Sequence, residues 1–381
     1  MSNYSDVVGF IKNQFDNKSF IPLHEPRFLG NEKKYVVDTI DSTFVSSVGA
    51  YVDKFELMMS SISGTNKSIA VVNGTSALQV ALRLAGVSAG DEVITQALTF
   101  IATVNAIIYN GAAPIFIDVD IDTMGLSPNA VEAFLEEFGE MRDGICYNKK
   151  SNKKIAGCMP MHTFGFPVHL HELLKVCNKW NIPIVEDAAE AIGSEYHSNP
   201  IGSFGKLGVF SFNGNKIVTS GGGGAIVTND VELGMKAKHL TTTAKVPHPY
   251  EYVHDDIGYN FRMPNLNAAL ACAQLEQLQT FISSKRALAQ EYNSFFKSKG
   301  LNFRTEMPQT KANYWLMCVE LENKHKRDSF LEETNLNGVM TRPIWQLIFK
   351  SQFYSSFQRD AQINALYLEN RIVNIPSSVT L

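Results

Sequence analysis

The sequence predicts an α/β protein: a large domain over residues 1–250 on a doubly wound, mostly parallel sheet, then a smaller α/β domain over 251–381. Three observations carry this. Short β-branched runs alternate with helical patterns from residue 68 to Asp187. The length of 381 residues suits two domains, and periodicity breaks down across 241–263 before a long helical pattern resumes.

Apolar side chains three and four apart over 31–42 and 49–63 predict two opening helices, the second stopped by Gly64. SIAVV (68–72), TSALQVALRLA (75–85), DEVIT (91–95), TFIATVNAIIYN (99–110) and APIFIDV (113–119) then alternate strand and helix, the pattern of βαβ units. The alternation continues through 127–138, 154–161, 169–180 and 182–187, each helix long enough for a right-handed crossover. Beyond Asp187, the strands LGVFSF (207–212) and GAIVTN (224–229) bracket a stretch in which seven of the chain's 26 glycines fall between 205 and 224. Residues 241–263 read as an ordered connection. From Asn265 to Phe296 the pattern is one long helix, followed by a strand over 313–321, a helix near 326–335 and a C-terminal tail.

Composition narrows the function. Hydrophobic residues make up 45% and charged residues 19%, ordinary for a folded globular chain. Basic side chains number 34 against 38 acidic, and the formal charge of −4 offers no footprint for nucleic acid or an anionic membrane. No run of 18 apolar residues could span a bilayer, and the first twenty residues lack the regions of an export signal. Five scattered cysteines without a C-x-x-C pair fit neither a disulfide framework nor a zinc site, so a cytoplasmic location is expected.

Three constellations carry chemistry. Asn73-Gly74-Thr75-Ser76 stands where a strand stops and a helix starts, with hydroxyls beside the free N–H groups of a first turn, which suits a phosphate. Taken alone it reads more readily as a Thr or Ser helix cap. Asp187 ends the apolar strand IPIVE, where ligands of open parallel sheets bind, though a cap is an equal reading. Lys216 lies between Ser211-Phe212-Asn213-Gly214-Asn215 and a four-glycine run; most lysines are solvated, but one held in place can form a Schiff base. Together the three answer the needs of pyridoxal 5'-phosphate: an amine for its aldehyde, an acid for its ring nitrogen and a phosphate cradle. Phe100 could stack on the ring, although a core position is the commoner fate of a phenylalanine. The glycines of 205–224 would let the backbone close around such a group.

At this point the chain resembles, over nearly its full length, the DegT/StrS family of fold-type-I, pyridoxal-phosphate-dependent nucleotide-sugar aminotransferases. The matching motifs are NGTSAL (73–78), TFIATVNAI (99–107), PMHTFGFP (160–167), VEDAAEAIG (185–193) and FSFNGNKIVTSGGGG (210–224). The resemblance implies that Lys216 links the cofactor, Asp187 pairs with its ring nitrogen and Glu190 approaches its phenolic oxygen. Gly74, Thr75, Ser76 and Ser211 would hold the phosphate, with Asn260 contributing from a partner subunit, which implies a homodimer with shared active sites. Two departures stand out: Gly221 to Gly224 replace a common Gly-Glu-Gly-Gly, and Glu190 takes a place often held by glutamine.

A narrower resemblance, to the LegC-type branch acting on UDP-linked 4-keto-6-deoxy-N-acetylhexosamines, rests on residues 21–35, 43–49, 241–270 and 371–379. It implies sugar contacts from Pro26, Arg27, Ser47, Val48, His162, Arg342 and Trp345, with L-glutamate as amino donor. A perosamine-like or 3-keto sugar is the alternative substrate, and a non-catalytic cofactor-binding regulator the reading from another class. Other readings fail on spacing: no G-x-x-x-x-G-K-[ST] or G-x-G-x-x-G occurs, and His169 and His171 fall on different faces of their helix, so no metal site is expected. A dehydratase on the same scaffold would carry histidine in place of Lys216.

Overall fold

A computed structural model describes residues 4–380. Seven strands form the main sheet: β1 (Lys67–Val71), β2 (Glu92–Gln96), β3 (Ala113–Ile117), β4 (Lys153–Met159), β5 (Val185–Asp187), β6 (Leu207–Ser211) and β7 (Gly224–Thr228). Ladders run in the order β1-β7-β6-β5 and β3-β2-β4, and parallel bridges Cys158–Ile184 and Met161–Asp187 join the two runs. Among these seven strands only β7 opposes its neighbours, pairing antiparallel with β1 and β6; beyond β4 the sheet is extended by an antiparallel hairpin, Gly139–Arg142 with Ile145–Asn148. The central strands are buried on both faces, which is why they read as continuous apolar runs without alternation.

The elements follow the sequence reading closely up to Thr228. Helices Glu32–Asp41, Ala50–Ser63, Gly74–Ala85, Ile101–Tyr109, Pro128–Phe138 and Leu170–Lys179 occupy the expected stretches, and Gly64 ends its helix in the left-handed region at φ 63°. Three helices have no counterpart in that reading: Ser5–Gln14, Val231–Thr241, which is capped by Asp230 accepting from Leu233 N–H, and Ile363–Glu369 within the C-terminal tail. The single long helix expected from Asn265 is two, Asn265–Leu275 and Leu278–Ser298, bent at Glu276-Gln277. Within the 241–263 connection, Lys245–Val246 pairs with Val253–His254.

A second sheet lies near the C-terminus. Its antiparallel order is Asn302–Phe303, Met317–Glu320, Ile372–Ile375 and Arg342–Pro343. The chain's opening helix packs here: Tyr4 meets Phe330 edge-on at 4.9 Å, Phe10 stacks on Phe295 at 3.9 Å, and Ile21 bridges to Val339. The following residues run beside the tail, with Ser377 N–H donating to the Leu23 carbonyl at 2.8 Å. This arrangement brings Leu23, Arg342–Gln346 and Asn374 over the C-terminal ends of β5 and β6.

Candidate active site

Three chain segments converge at those strand ends because glycines let them. Asn73 caps helix Gly74–Ala85, its Oδ1 accepting from Ser76 N–H at 2.8 Å, so the cap is neither Thr75 nor Ser76. A Cβ on Gly74 would lie 3.0 Å from Ser211 Cβ, and one on Gly224 would lie 2.6 Å from the Asn73 backbone. Glycine at both positions therefore allows the helix start to sit against β6 and β7. This contact between protein segments, not closure around a ligand, is what Gly224 serves.

The result is a cavity of about 610 Å³ walled by Leu23, Phe100, Met161, Trp315 and Trp345. Gly74, Thr75, Phe100, Asp187, Glu190, Ser211, Lys216, Arg342 and Trp345 all line it, so most of the residues singled out in the sequence meet in one place. Gly74 and Thr75 stand in the first helical turn, whose amides the helix's own backbone does not satisfy. Phe100 is 51% exposed, an open apolar face and not a core side chain.

Two buried acids set the electrostatics. Asp187 accepts from the Thr103 hydroxyl at 2.7 Å and from Ala189 N–H at 3.2 Å. Burial nevertheless raises its pKa, outweighing those hydrogen bonds and the charge of Lys216. Glu190 is also buried, which pushes its carboxyl up to about 7 against the opposing charge of Lys216 and the Phe164 N–H bond of 2.9 Å. The Lys216 amine lies 3.3 Å from Glu190 Oε1 and 3.9 Å from the centre of the Trp315 ring.

Pyridoxal phosphate fits this donor set. A protonated ring nitrogen would supply the cation that buried Asp187 lacks, Lys216 the amine, the first turn at Gly74-Thr75 with Ser211 the phosphate cradle, and Phe100 a stacking face.

Other expected residues lie elsewhere. His162, expected to touch sugar, is wholly buried: Nε2 lies 3.2 Å from Glu186 Oε2, and Nδ1 accepts from Val168 N–H, so no ring atom is open to a ligand. Arg27 is tied to the tail, its Nε donating to the Val379 carbonyl, and neither it nor Pro26 lines the cavity. Ser47 and exposed Val48 sit in the loop before helix Ala50–Ser63, and Asn260 bridges to Thr242; all three are outside the cavity. Ser76 follows the lining residues on the helix. Reading along the sequence missed Trp315 and Thr103. Thr103 is one helical turn from Thr99 and bonded to it at 2.7 Å, a periodicity that could have marked it; Trp315 carries no local signal beyond being a tryptophan.

His169 does not pair with His171; it stands just before helix Leu170–Lys179 without a capping side-chain hydrogen bond, its Nε2 3.0 Å from Asp122 Oδ2.

Known proteins resemble this chain in sequence and in fold. Residues 28–381 match the model of the DegT/DnrJ/EryC1/StrS aminotransferase family. The chain is 36% identical over 362 residues to the GDP-perosamine synthase of Escherichia coli O157:H7, covering 95% of this chain and 94% of that one. It is 33% identical to the GDP-perosamine synthase of Vibrio cholerae, covering 94% of each. Among solved structures, an aminotransferase from Psychrobacter cryohalolentis superposes with a TM-score of 0.83 at 27% identity, covering 95% of this chain and 94% of that one. These curated relatives bear the name of the alternative substrate and not of the LegC-type branch. The chain belongs to the DegT/DnrJ/EryC1/StrS aminotransferase family, on the fold-type-I scaffold, and is a pyridoxal-phosphate-dependent transaminase.

Proposed function

We propose that the protein transfers the amino group of L-glutamate to the 4-keto carbon of a nucleotide-linked 4-keto-6-deoxy sugar. The observation that carries this is the meeting of Lys216, Asp187 and Glu190 with the aromatic and cationic rim of Trp345 and Arg342 in one cavity. A cofactor-sized group at the floor leaves that rim for a sugar and its phosphates. The LegC-like stretches favour a UDP-linked N-acetylhexosamine; the 36% identity to a GDP-perosamine synthase favours a GDP-linked sugar as the second reading.

Pyridoxal phosphate supplies an aldehyde and an electron sink, through which an amino group can pass from one substrate to the next. Asp187 would hold the ring nitrogen of that group and favour its protonated form. The Lys216 amine takes the proton from the α-carbon of L-glutamate and, in the reverse sense, delivers one to C4 of the sugar. Glu190, 3.3 Å from that amine, steadies it between the two transfers. Arg342 has no carboxylate partner within ion-pair distance among the described residues, so it is free to meet an anionic group of either substrate.

A homodimer is part of the same reading. The loop carrying Ser47 and Val48 is bound to the segment after Asn260 through Asn265, whose side chain donates to the Phe44 carbonyl at 2.6 Å. We take this surface, with exposed Val48, Phe44 and Ile257, to face the cavity of the partner, where Asn260, Ser47 and Val48 would complete its site. Pro26 and Arg27, at the edge of the tail, would contact the sugar once it is bound. Five free, buried thiols suit a reducing cytoplasm.

The test is incubation with pyridoxal phosphate, L-glutamate and a panel of UDP- and GDP-linked 4-keto sugars, with the aminated product identified. Lys216→Ala should cost about 10³-fold or more in turnover; a wild-type rate in that variant would refute the assignment. Sedimentation as a monomer would remove the shared site.

A further inference from the structure

Lys216 does not hang free in the cavity. Its amine lies against the face of Trp315, 3.9 Å from the ring centre, with Glu190 Oε1 at 3.3 Å on another side. Both walls of this seat are fixed by one buried residue, Asn313. Its Oδ1 accepts from Trp315 N–H at 2.8 Å, and its Nδ2 donates to the carbonyls of Glu190 and Ile192, each at 2.9 Å. The Trp315 indole N–H donates in turn to the carbonyl of Asn215, the residue before the lysine, at 2.8 Å. Close approach of Asn313 requires glycine at 165, where a Cβ would lie 1.9 Å from Asn313 Oδ1. Three segments far apart in sequence thus build a rigid aromatic face beneath one amine.

We propose that Trp315 is a positioning residue whose ring face is the berth of the Lys216 amine whenever that lysine is not covalently linked to its cofactor. The inference rests on the reading of Lys216 as the linking lysine. In linking, the amine and the cofactor aldehyde condense to an imine, releasing one water, and the free amine that rests on the Trp315 face is consumed. The berth therefore opposes linking and steadies the unlinked lysine in each half of a transamination. Pyridoxamine phosphate, which has no aldehyde, leaves the lysine on its berth.

These two ligands separate the berth from a merely structural role. Dissociation constants are measured on the whole protein, for pyridoxal phosphate from its visible absorbance and for pyridoxamine phosphate by calorimetry. In Trp315→Leu the ratio of the pyridoxamine phosphate constant to the pyridoxal phosphate constant should rise about 3- to 30-fold, mainly through tighter pyridoxal phosphate binding. Trp315→Phe, which keeps a smaller ring and gives the protein a second chance to fold, should shift it the same way by a smaller factor. An unchanged ratio in the folded variants, or equal weakening of both ligands, overturns the berth. Failure of the wild-type protein to develop the visible band with pyridoxal phosphate, or persistence of that band in Lys216→Ala, would instead overturn the reading of Lys216, and the berth with it.

Discussion

Glu186 and Asp187 are neighbours on β5, both buried, and they face opposite sides of the sheet. On one side Glu186 is saturated: Oε1 accepts from Phe204 N–H at 2.8 Å and Gly205 N–H at 2.7 Å, while Oε2 accepts from Gly202 N–H at 2.9 Å and lies 3.2 Å from His162. On the other side Asp187 has one hydroxyl and one longer amide bond, lines the cavity, and is held at a raised pKa by its burial. A buried acid whose lone pairs are filled by backbone amides belongs to the fold. A buried acid left short of cationic company is available to a ligand.

Substitution can break this contrast. The largest expected effect is on the site side: Asp187→Ala should lower turnover about 10³-fold, with folding stability changed by no more than about 1 kcal/mol. Steady-state rates and thermal melts on one preparation check both; a variant that loses stability and keeps its rate would reverse the roles of the two acids. On the other side, Glu186→Ala strands three amide donors and the His162 ring in the interior. It should cost about 3–5 kcal/mol of stability, while the fraction that remains folded keeps its rate. Denaturant unfolding measures the first and active-site titration normalises the second.

The smallest effect sharpens the contrast through pH. The Glu190 carboxyl stands at about 7 in the fold, against an unfolded value of about 4.3. Between those values the folded chain holds a proton that the unfolded chain has lost. Stability therefore falls as pH rises from about 4 to about 7, and the full penalty is present above that. Glu190→Gln removes it, so the variant's advantage in unfolding free energy should grow from near zero at pH 4 to about 1–3 kcal/mol at pH 8. An advantage flat across that range would mean that burial is not what lifts this carboxyl.

Much of the site was legible because its chemistry is local. Asn-Gly-Thr-Ser after a strand marks a tight turn into a helix start, and Asp187 at the end of an apolar strand marks the sheet's C-terminal edge, and the structure places both there. The partners that tune those groups were not legible. Thr103 reaches Asp187 across 84 residues, and Asn313 reaches Glu190 across 123. His162 shows why proximity in a motif misleads: it sits in PMHTFGFP beside residues of the cavity, yet its ring turns into the core to meet Glu186. The opening helix escaped notice because its burial depends on Phe330 and Phe295, near the other end of the chain.

By itself, the sequence determined the layered α/β architecture and the helix start through periodicity and turn chemistry within a few residues, while the lysine and the aspartate stood out only in combination and by their resemblance to a family. Tertiary structure alone decided which neighbouring acid faces the cavity, how far burial lifts Glu190, and that the amine of Lys216 rests on Trp315. Those properties depend on desolvation and on contacts about a hundred residues apart, and neither is written in any local stretch of the chain.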